Sequence, residues 1–570
     1  MPAPLTQPPF LLRDSLVVPP MAPHSRASSF QRRRPQGAPD AKGGIRYLFA
    51  RSKVVTCRTG RARQRRVHMQ PTAGPVVDDP ALVDNLRTAL LRVGYTSAGV
   101  SRVLPAVRLG LSARDLPLYD RQVPSGEPLP TLIRLFLLGL SVPEPDVTRA
   151  LSPVNVGHLV HANLVTSADG IVTSLTQLLC IGDLLLFGDR DDAILDQPGW
   201  VSASSPTAQV LDFLTVPRHG RSALDLGCGA GMHALVAARR NDTVTATDVN
   251  LRAIAFTRFN ARLNQVTNLV CREGSWFEPV ADEQFDLIVS NPPFVVSPDA
   301  TLPFRDGALP ADDVSRLIVT QAAAHLREGG YGHVLCNWAV REGERWDAAP
   351  QQWLQNVGCD ALVVHFSTDD PLPYAAVWNA PLRTRDQAAF EAALDRWVTY
   401  YSSSGITALC GGAIVMRRRS AHRRWMRTLT LRQAPEGAAG EDVLRLFEGQ
   451  DLLESPATDG LLEDEVFELA DRHEVRQVLQ HRGGAYNSQR CTVARPAGLG
   501  LEVEVDPEAL QVILRLDGHH TLRELTGRVA NELGLEASRL LEKATAAVRD
   551  LVRGGFLTRR MGLDERSEVP

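Results

Sequence analysis

A chain of 570 residues is too long for one hydrophobic core, and its 44% apolar and 22% charged content excludes wholesale disorder. The net charge of −3 hides an asymmetry: the first 68 residues carry 14 Lys and Arg against Asp14 and Asp40, leaving 48 basic and 63 acidic residues beyond them. That acidic body excludes phosphate binding through overall charge, so nucleic-acid contact would need a local basic patch.

Eight cysteines without a CxxC pair, and no Cys/His cluster at metal spacing, predict a reduced, cytoplasmic protein that holds no metal. No stretch approaches the roughly 18 to 20 apolar residues of a membrane span, and the N-terminus lacks the basic, apolar and small-residue succession of a signal peptide.

Residues 1–78, rich in Pro, Ser, Gly and Arg, show no sustained periodicity and predict a disordered basic tail. A solvated tail, or an extension upstream of Met69, is the preferred reading over a nucleic-acid-binding arm. From 79 to 200, helical spacing in ALVDNLRTALLRVGY and LPTLIRLFLLGL is followed by PEPDVTRAL, GHLVHANLVTSADG and the strand-like GIVTSLTQLLCIGDLLLFGD. Short helices leading into a hairpin are the order of a winged helix, and equally of an α+β cap over an active site.

From 201 to 420, strands alternate with helices, which predicts an α/β fold around a parallel sheet. The expected strands are SALDLG, TVTATDV, NLVCRE, FDLIVSN, GHVLCNW, DALVVHF and ITALCGGAIVM, seven in all, with the last two or three forming an antiparallel hairpin at one edge. From 434 to 570, acidic helices are expected in GEDVLRLFEGQDLLES and GLLEDEVFELADRHEVRQVL. Two or three further helices then lead through a Gly-Gly turn into a short strand, a second winged-helix-like module.

Three motifs carry chemistry. SALDLGCGAG places Asp225, Gly227, Gly229 and Gly231 where a strand turns into a helix, and glycines there let a ligand approach the backbone closely. An acid inside the turn repels a pyrophosphate but can pair with the α-amino group of a methionine moiety. Asp248 ends the next strand, about twenty residues on, where a carboxylate can accept both ribose hydroxyls; Asn250 is the better N-cap for the helix that follows. After the fourth strand comes Asn291-Pro292-Pro293-Phe294. Its prolines lack N–H groups, so the loop presents carbonyls. The Asn291 side chain and the Pro292 carbonyl can accept the two hydrogens of a planar NH2 group while Phe294 stacks on its face.

The order and spacing of LDLGCGAG, ATDVN and SNPPF resemble the class I S-adenosylmethionine-dependent methyltransferases, and within them the NPP[FY] branch. That branch contains HemK-type release-factor glutamine methyltransferases, rRNA guanine N2-methyltransferases and adenine N6-methyltransferases. The stretch REGSWFEPVADEQFDLIVSNPPF is similar to the HemK pattern. The resemblance implies a Rossmann-like seven-stranded methyltransferase sheet flanked by two smaller domains. It further implies S-adenosyl-L-methionine held by Asp225, Gly227, Gly229, Gly231, Asp248, Ser275, Trp276 and Asn291, with Asn291, Pro292 and Phe294 at the methyl acceptor. Two positions depart from the pattern: Ser275 stands where an Asp usually meets the adenine amino group, and Phe294 where HemK commonly has Tyr.

The expected function is N-methylation of a macromolecule, either a protein Gln/Asn amide or a nucleic-acid base, between which the motif does not choose. A flipped base would need basic and aromatic residues near NPPF, and segment 295–330 offers Arg305, Arg316 and Arg327 with Phe304 as its one aromatic. The alternatives are a retired methyltransferase fold serving as a ligand-sensing or scaffold module, against which the intact Asp225, Asp248 and Asn291 argue, and a small-molecule methyltransferase.

Overall fold

The computed structural model describes residues 74–559 apart from 77, 106–115, 198, 300–304, 307–308, 384, 421–423, 432, 436, 438 and 455–461. The expected basic tail therefore lies outside the described residues, save for its last few, and so does Phe304.

Asp79 caps the first helix, Pro80–Arg92, by accepting from the backbone N–H groups of Ala81 and Leu82. The apolar stripe Leu82, Val83, Leu86, Ala89 and Leu90 is buried. The helix Pro128–Leu132 continues as a π-helical turn to Leu137 and leads into a three-stranded antiparallel sheet. In that sheet Ile171–Ser174 lies between Val142–Pro143 and Val165–Ala168, and helices Glu144–Leu151 and Val156–His161 fill the connection. Asp169 and Gly170, both at positive φ, make the two-residue turn, the hairpin chemistry expected of Asp-Gly.

A second hairpin, Thr176–Ile181 with Leu184–Asp189, docks on the helix Leu251–Leu263. Asn260 exchanges two hydrogen bonds with the backbone of Phe187, and Asn264 does the same with Leu185. Behind them Phe187 stands edge-on to both Phe136 and Phe259. The strand-like run expected as one hairpin thus holds three strands, the last of the first hairpin and both of the second, and the second hairpin fastens the N-terminal part to the body.

The large sheet has eight strands: β1 (Gly220–Leu226), β2 (Asn241–Asp248), β3 (Leu269–Glu273), β4 (Phe285–Ser290), β5 (Leu326–Arg341), β6 (Cys359–Asp369), β7 (Ile406–Arg418) and β8 (Met426–Thr430). Their order is 3-2-1-4-5-7-6-8, and only β7 runs antiparallel to its neighbours. All seven expected strands are present. Two details correct the expectation: the antiparallel strand sits inside the sheet, between β5 and β6, and β8 forms the edge instead. This strand lies beyond the expected bound at 420: MRTLT is short and alternates between exposed and half-buried residues, so it carries no apolar run.

Helices cover both faces. Ile318, Val319, Trp338 and Trp353 belong to one core layer, and Leu211, Leu214, Val443, Leu446 and Phe447 to the other. The second set includes the helix Ala439–Glu454, so the unit expected to start at 434 opens with a helix that covers the large sheet. Gly440 is packed so closely there that a Cβ would lie 2.1 Å from the Thr215 carbonyl oxygen.

Beyond it the helix expected in GLLEDEVFELADRHEVRQVL is present among the described residues only at 462–464 and then gives way to β structure. Val466–Leu469 lies between Asp517–Thr521 and Leu557–Arg559, and Glu474–Arg482 pairs with Ala485–Ala494. Gly483 and Gly484, at φ 61° and 86°, make that turn. The pairing shifts where Val478 faces Arg490 and Leu479 faces Ser488, so the extra residue, 489, lies on the partner strand. Helices Leu522–Leu533 and Ala537–Arg553 and the Gly554-Gly555 turn into the last strand lie where expected.

Candidate active site

Strand order reverses between β1 and β4, and in parallel sheets the crevice at such a switch point is where ligands bind. The ends of β1, β2 and β4 bring the three motifs together there. Gly227, Gly229 and Gly231 have φ of 75°, 54° and 86°, the left-handed region that favours glycine. The amides of Gly227 and Cys228 both donate to the Thr247 carbonyl at 2.9 and 3.0 Å, tying the loop to β2. A Cβ on Gly227 or Gly229 would meet open space, whereas one on Gly231 would press on Thr257 at 2.9 Å. The first two glycines keep a surface clear, and the third lets the loop pack on the helix Leu251–Leu263.

Asp225 is 1% exposed beneath this loop. Its Oδ2 accepts from the Ala234 N–H at 2.8 Å, and its Oδ1 has no hydrogen-bond partner among the described residues. Burial, reinforced by the nearby Asp248 charge and opposed by the Ala234 bond, pushes the carboxyl up to about 7. Asp248 accepts from the Gly229 N–H at 3.0 Å and the Asn250 N–H at 2.8 Å. Its pKa is raised by burial against these two bonds and one from Val249. Asn250 does cap its helix, accepting from Arg252 N–H at 3.0 Å.

The amide of Gly274 donates to the Asp248 carbonyl at 3.1 Å and brings in the turn with Ser275 and Trp276. Trp276 has φ 48°, a conformation that costs a non-glycine residue free energy and is concentrated at functional sites. On the other side, Ser290 Oγ donates to the Leu226 carbonyl at 2.8 Å, so NPPF starts directly beside the glycine loop. Pro292 is buried, while Asn291, Pro293 and Phe294 are partly exposed.

Two groups of neighbours were missed in the sequence. Residues 199–204, a Ser-rich stretch with no apolar period, run past both sides of the loop. Asn250 Nδ2 donates to the Gly199 carbonyl at 2.9 Å, and Ser204 Oγ donates to Met232 Sδ at 3.2 Å. The second group comes from the helices Pro371–Trp378, Ala380–Arg383 and Gln387–Ser403 between β6 and β7. Trp378 stands edge-on to Phe294 at 6.0 Å, with Tyr374, Trp397 and Tyr401 behind. The clustered aromatics of PYAAVW and RWVTYY were the available signal.

Arg305 does not serve as a basic rim. It is buried, paired with Asp306 at 2.6 and 2.9 Å, bonded to the Trp378 carbonyl at 2.9 Å and stacked over Trp397. Arg316 pairs with Asp313, Arg327 with Asp286 and Arg396 with Asp299, which also accepts from Trp397 Nε1 at 2.7 Å.

Residues 204–342 match the methyltransferase small domain family, and residues 92–175 and 445–559 match two domains of unknown function, DUF7059 and DUF7782. The chain is 36% identical over 160 residues to the release factor glutamine methyltransferase of Xylella fastidiosa strain Temecula1, covering 25% of this chain and 54% of that protein. Its counterpart in Aliivibrio fischeri is 40% identical over 140 residues, covering 23% and 48%. The chain spans about half the length of the curated relatives it matches. Among solved structures, the T. Thermophilus 16S rRNA N2 G1207 methyltransferase in complex with AdoMet and guanosine is 18% identical, over 38% of this chain and 59% of that one, with a TM-score of 0.24.

The fold and the switch-point motifs define a class I methyltransferase domain. Within that class the domain is HemK-related, and its cofactor is S-adenosyl-L-methionine. The site has features that fit this cofactor: a buried carboxylate oxygen without a partner for a cationic amine, and a glycine surface left open. Among the described residues no group of three or more His, Cys, Asp or Glu could hold a metal, and no helix is long and apolar enough to cross a membrane.

Proposed function

We propose that the chain methylates the side-chain amide of a Gln or Asn in a protein partner, in the cytoplasm. The observation that carries the choice of a protein over a nucleic acid is electrostatic. Segments 295–330 and 371–403 contain six arginines, and five of them, Arg305, Arg316, Arg327, Arg385 and Arg396, are paired with carboxylates. A phosphate backbone would have to displace those partners, and the acidic body adds repulsion. The likeness to release factor glutamine methyltransferases supports the same acceptor chemistry.

Asp225 and Asp248 would hold the methionine amine and the ribose, and Ser275 and Trp276 would flank the adenine. The cofactor supplies a methyl carbon made electrophilic by sulfonium sulfur. Asn291 and the Pro292 carbonyl would accept the two amide hydrogens and aim the nitrogen, and Phe294 would cover its flat face. The nitrogen held there would take the methyl group and afterwards lose its extra proton to solvent, so no residue of this chain is needed as a general base. A nucleobase is the second reading, favoured by the Phe294–Trp378 edge-on pair, because aromatic faces take bases as readily as amides.

Incubation of the purified full chain with methyl-labelled S-adenosylmethionine and separate pools of protein, rRNA, tRNA and DNA tests both readings. The expected result is label in protein that acid hydrolysis releases as methylamine. Label confined to a nucleic-acid pool would overturn the amide assignment, and no label in any pool would overturn methyl transfer.

A further inference from the structure

NPPF opens a loop whose placement is not set by the sheet alone. Its residue Val296 is buried and held on both sides of the peptide backbone by tyrosines from the helices between β6 and β7. The Val296 N–H donates to the Tyr374 hydroxyl at 3.1 Å, and the Tyr401 hydroxyl donates to the Val296 carbonyl at 2.7 Å. From β5, Asn337 Nδ2 donates to the same Tyr374 oxygen at 2.6 Å. At the far end of the loop the Ala311 N–H donates to the Tyr400 hydroxyl at 2.9 Å. Tyr374, Tyr401 and Asn337 are all buried, and Ala311 has φ 48°.

Packing would not by itself require this arrangement. Phe at 374 or 401 would fill the same space, whereas the hydroxyls satisfy backbone groups of one loop that have no helix or sheet partner. Fixing Val296 fixes the chain two residues beyond Phe294. Phe294 in turn packs in the same cluster as Tyr374 and Tyr401. An acceptor nitrogen held by Asn291 and Phe294 must meet a methyl carbon in line, and small displacements from that geometry are costly in rate.

We propose that Tyr374 and Tyr401, with Asn337 fixing the Tyr374 ring, are positioning residues that lock the NPPF loop in the geometry for methyl transfer. This rests on the reading of NPPF as the acceptor site. The clamp reaches no substrate atom; it acts through Val296. The helices 371–403 are therefore a part of the acceptor site supplied from the opposite end of the domain sequence.

The test uses the full chain with Tyr374→Phe, Tyr401→Phe and the double variant. Amide hydrogen exchange is read at Val296, cofactor affinity by calorimetry and methyl transfer under single turnover. Exchange at Val296 should speed up at least tenfold in Tyr374→Phe. The transfer rate at saturating cofactor should fall about tenfold in each single variant and further in the double, with cofactor affinity unchanged within twofold and a cooperative unfolding transition retained at a lowered midpoint. Unchanged exchange would overturn the clamp, and faster exchange with an unchanged transfer rate would overturn its positioning role. A rise in the acceptor KM with the saturated transfer rate unchanged would also overturn it. If the wild type itself transfers no methyl group, the acceptor reading fails and the positioning role with it, while exchange at Val296 still shows whether the hydroxyl holds the loop.

Discussion

Asp248 and Gly229 are joined by a 3.0 Å hydrogen bond from the glycine amide to the carboxylate, so the acid that ends β2 also holds the loop that ends β1. Asp248→Ala should therefore act twice, removing a charge-assisted contact to the cofactor ribose and freeing the loop. We expect S-adenosylmethionine affinity to fall by about 1.5–3 kcal/mol. Calorimetry with equal affinities for variant and wild type would rule out the ribose assignment.

Asn291→Ala should leave cofactor affinity and folding almost intact while slowing methyl transfer roughly 10²-fold or more, since the lost acceptor matters most as charge develops on nitrogen. Single-turnover rates at saturating cofactor measure this. Equal rates would reduce NPPF to a turn.

The raised pKa of Asp225, about 7 against an ordinary value of about 3.9, has a signed consequence. Between these values the folded protein keeps a proton that the unfolded chain has lost, so the group's contribution to stability falls as pH rises through that window. A bound ammonium favours the carboxylate, and the facing Asp248 disfavours it. Cofactor affinity should thus rise roughly tenfold between pH 6 and pH 7.5, and Asp225→Asn should flatten the dependence. Titration calorimetry across that range decides; a pH-independent wild-type affinity would remove Asp225 from the amine site. With cofactor saturating, the transfer rate itself should stay flat near neutrality.

Asp189 and Arg252 form a buried bidentate ion pair in which Asp189 Oδ2 also accepts from the Val201 N–H at 2.8 Å. The pair fastens the second N-terminal hairpin to the helix after β2. Asp189→Ala would remove the buried ion pair and leave the Val201 N–H without its acceptor, at a cost of about 3–5 kcal/mol. Chemical denaturation should register it as a lower midpoint; a change under about 1 kcal/mol would mean that the pair does not fasten the hairpin.

Glycines and caps were the most legible part of the site, because their signals are local. Asp225, Gly227, Gly229, Gly231, Asp248 and Asn291 fall within strands and turns of a few residues each, and the structure brings them to one crevice. The Tyr374–Val296 contact spans 78 residues and depends on how two distant helices return across the sheet, which no local periodicity encodes. Arg305 looked available in sequence, although its neutralising partner is the next residue, Asp306; what was not visible was that both are buried. The strand Glu474–Arg482 carries Val475, Val478 and Leu479 at the i, i+3, i+4 spacing of a helix, although Val478 and Leu479 are exposed and mark no buried face.

The eighth strand sets a limit on how the catalytic domain can be isolated. A recombinant fragment ending at 420 would lose β8 and leave the N–H and C=O groups of β6 bare from Ala361 to His365. It would also lose the helix Ala439–Glu454, and with it Asp451, which shares Arg417 and Arg419 with the buried Asp360. An unprotected edge beside a stripped apolar face is a template for intermolecular strand pairing, so such a fragment should aggregate, whereas one carried through to Glu454 keeps the edge closed.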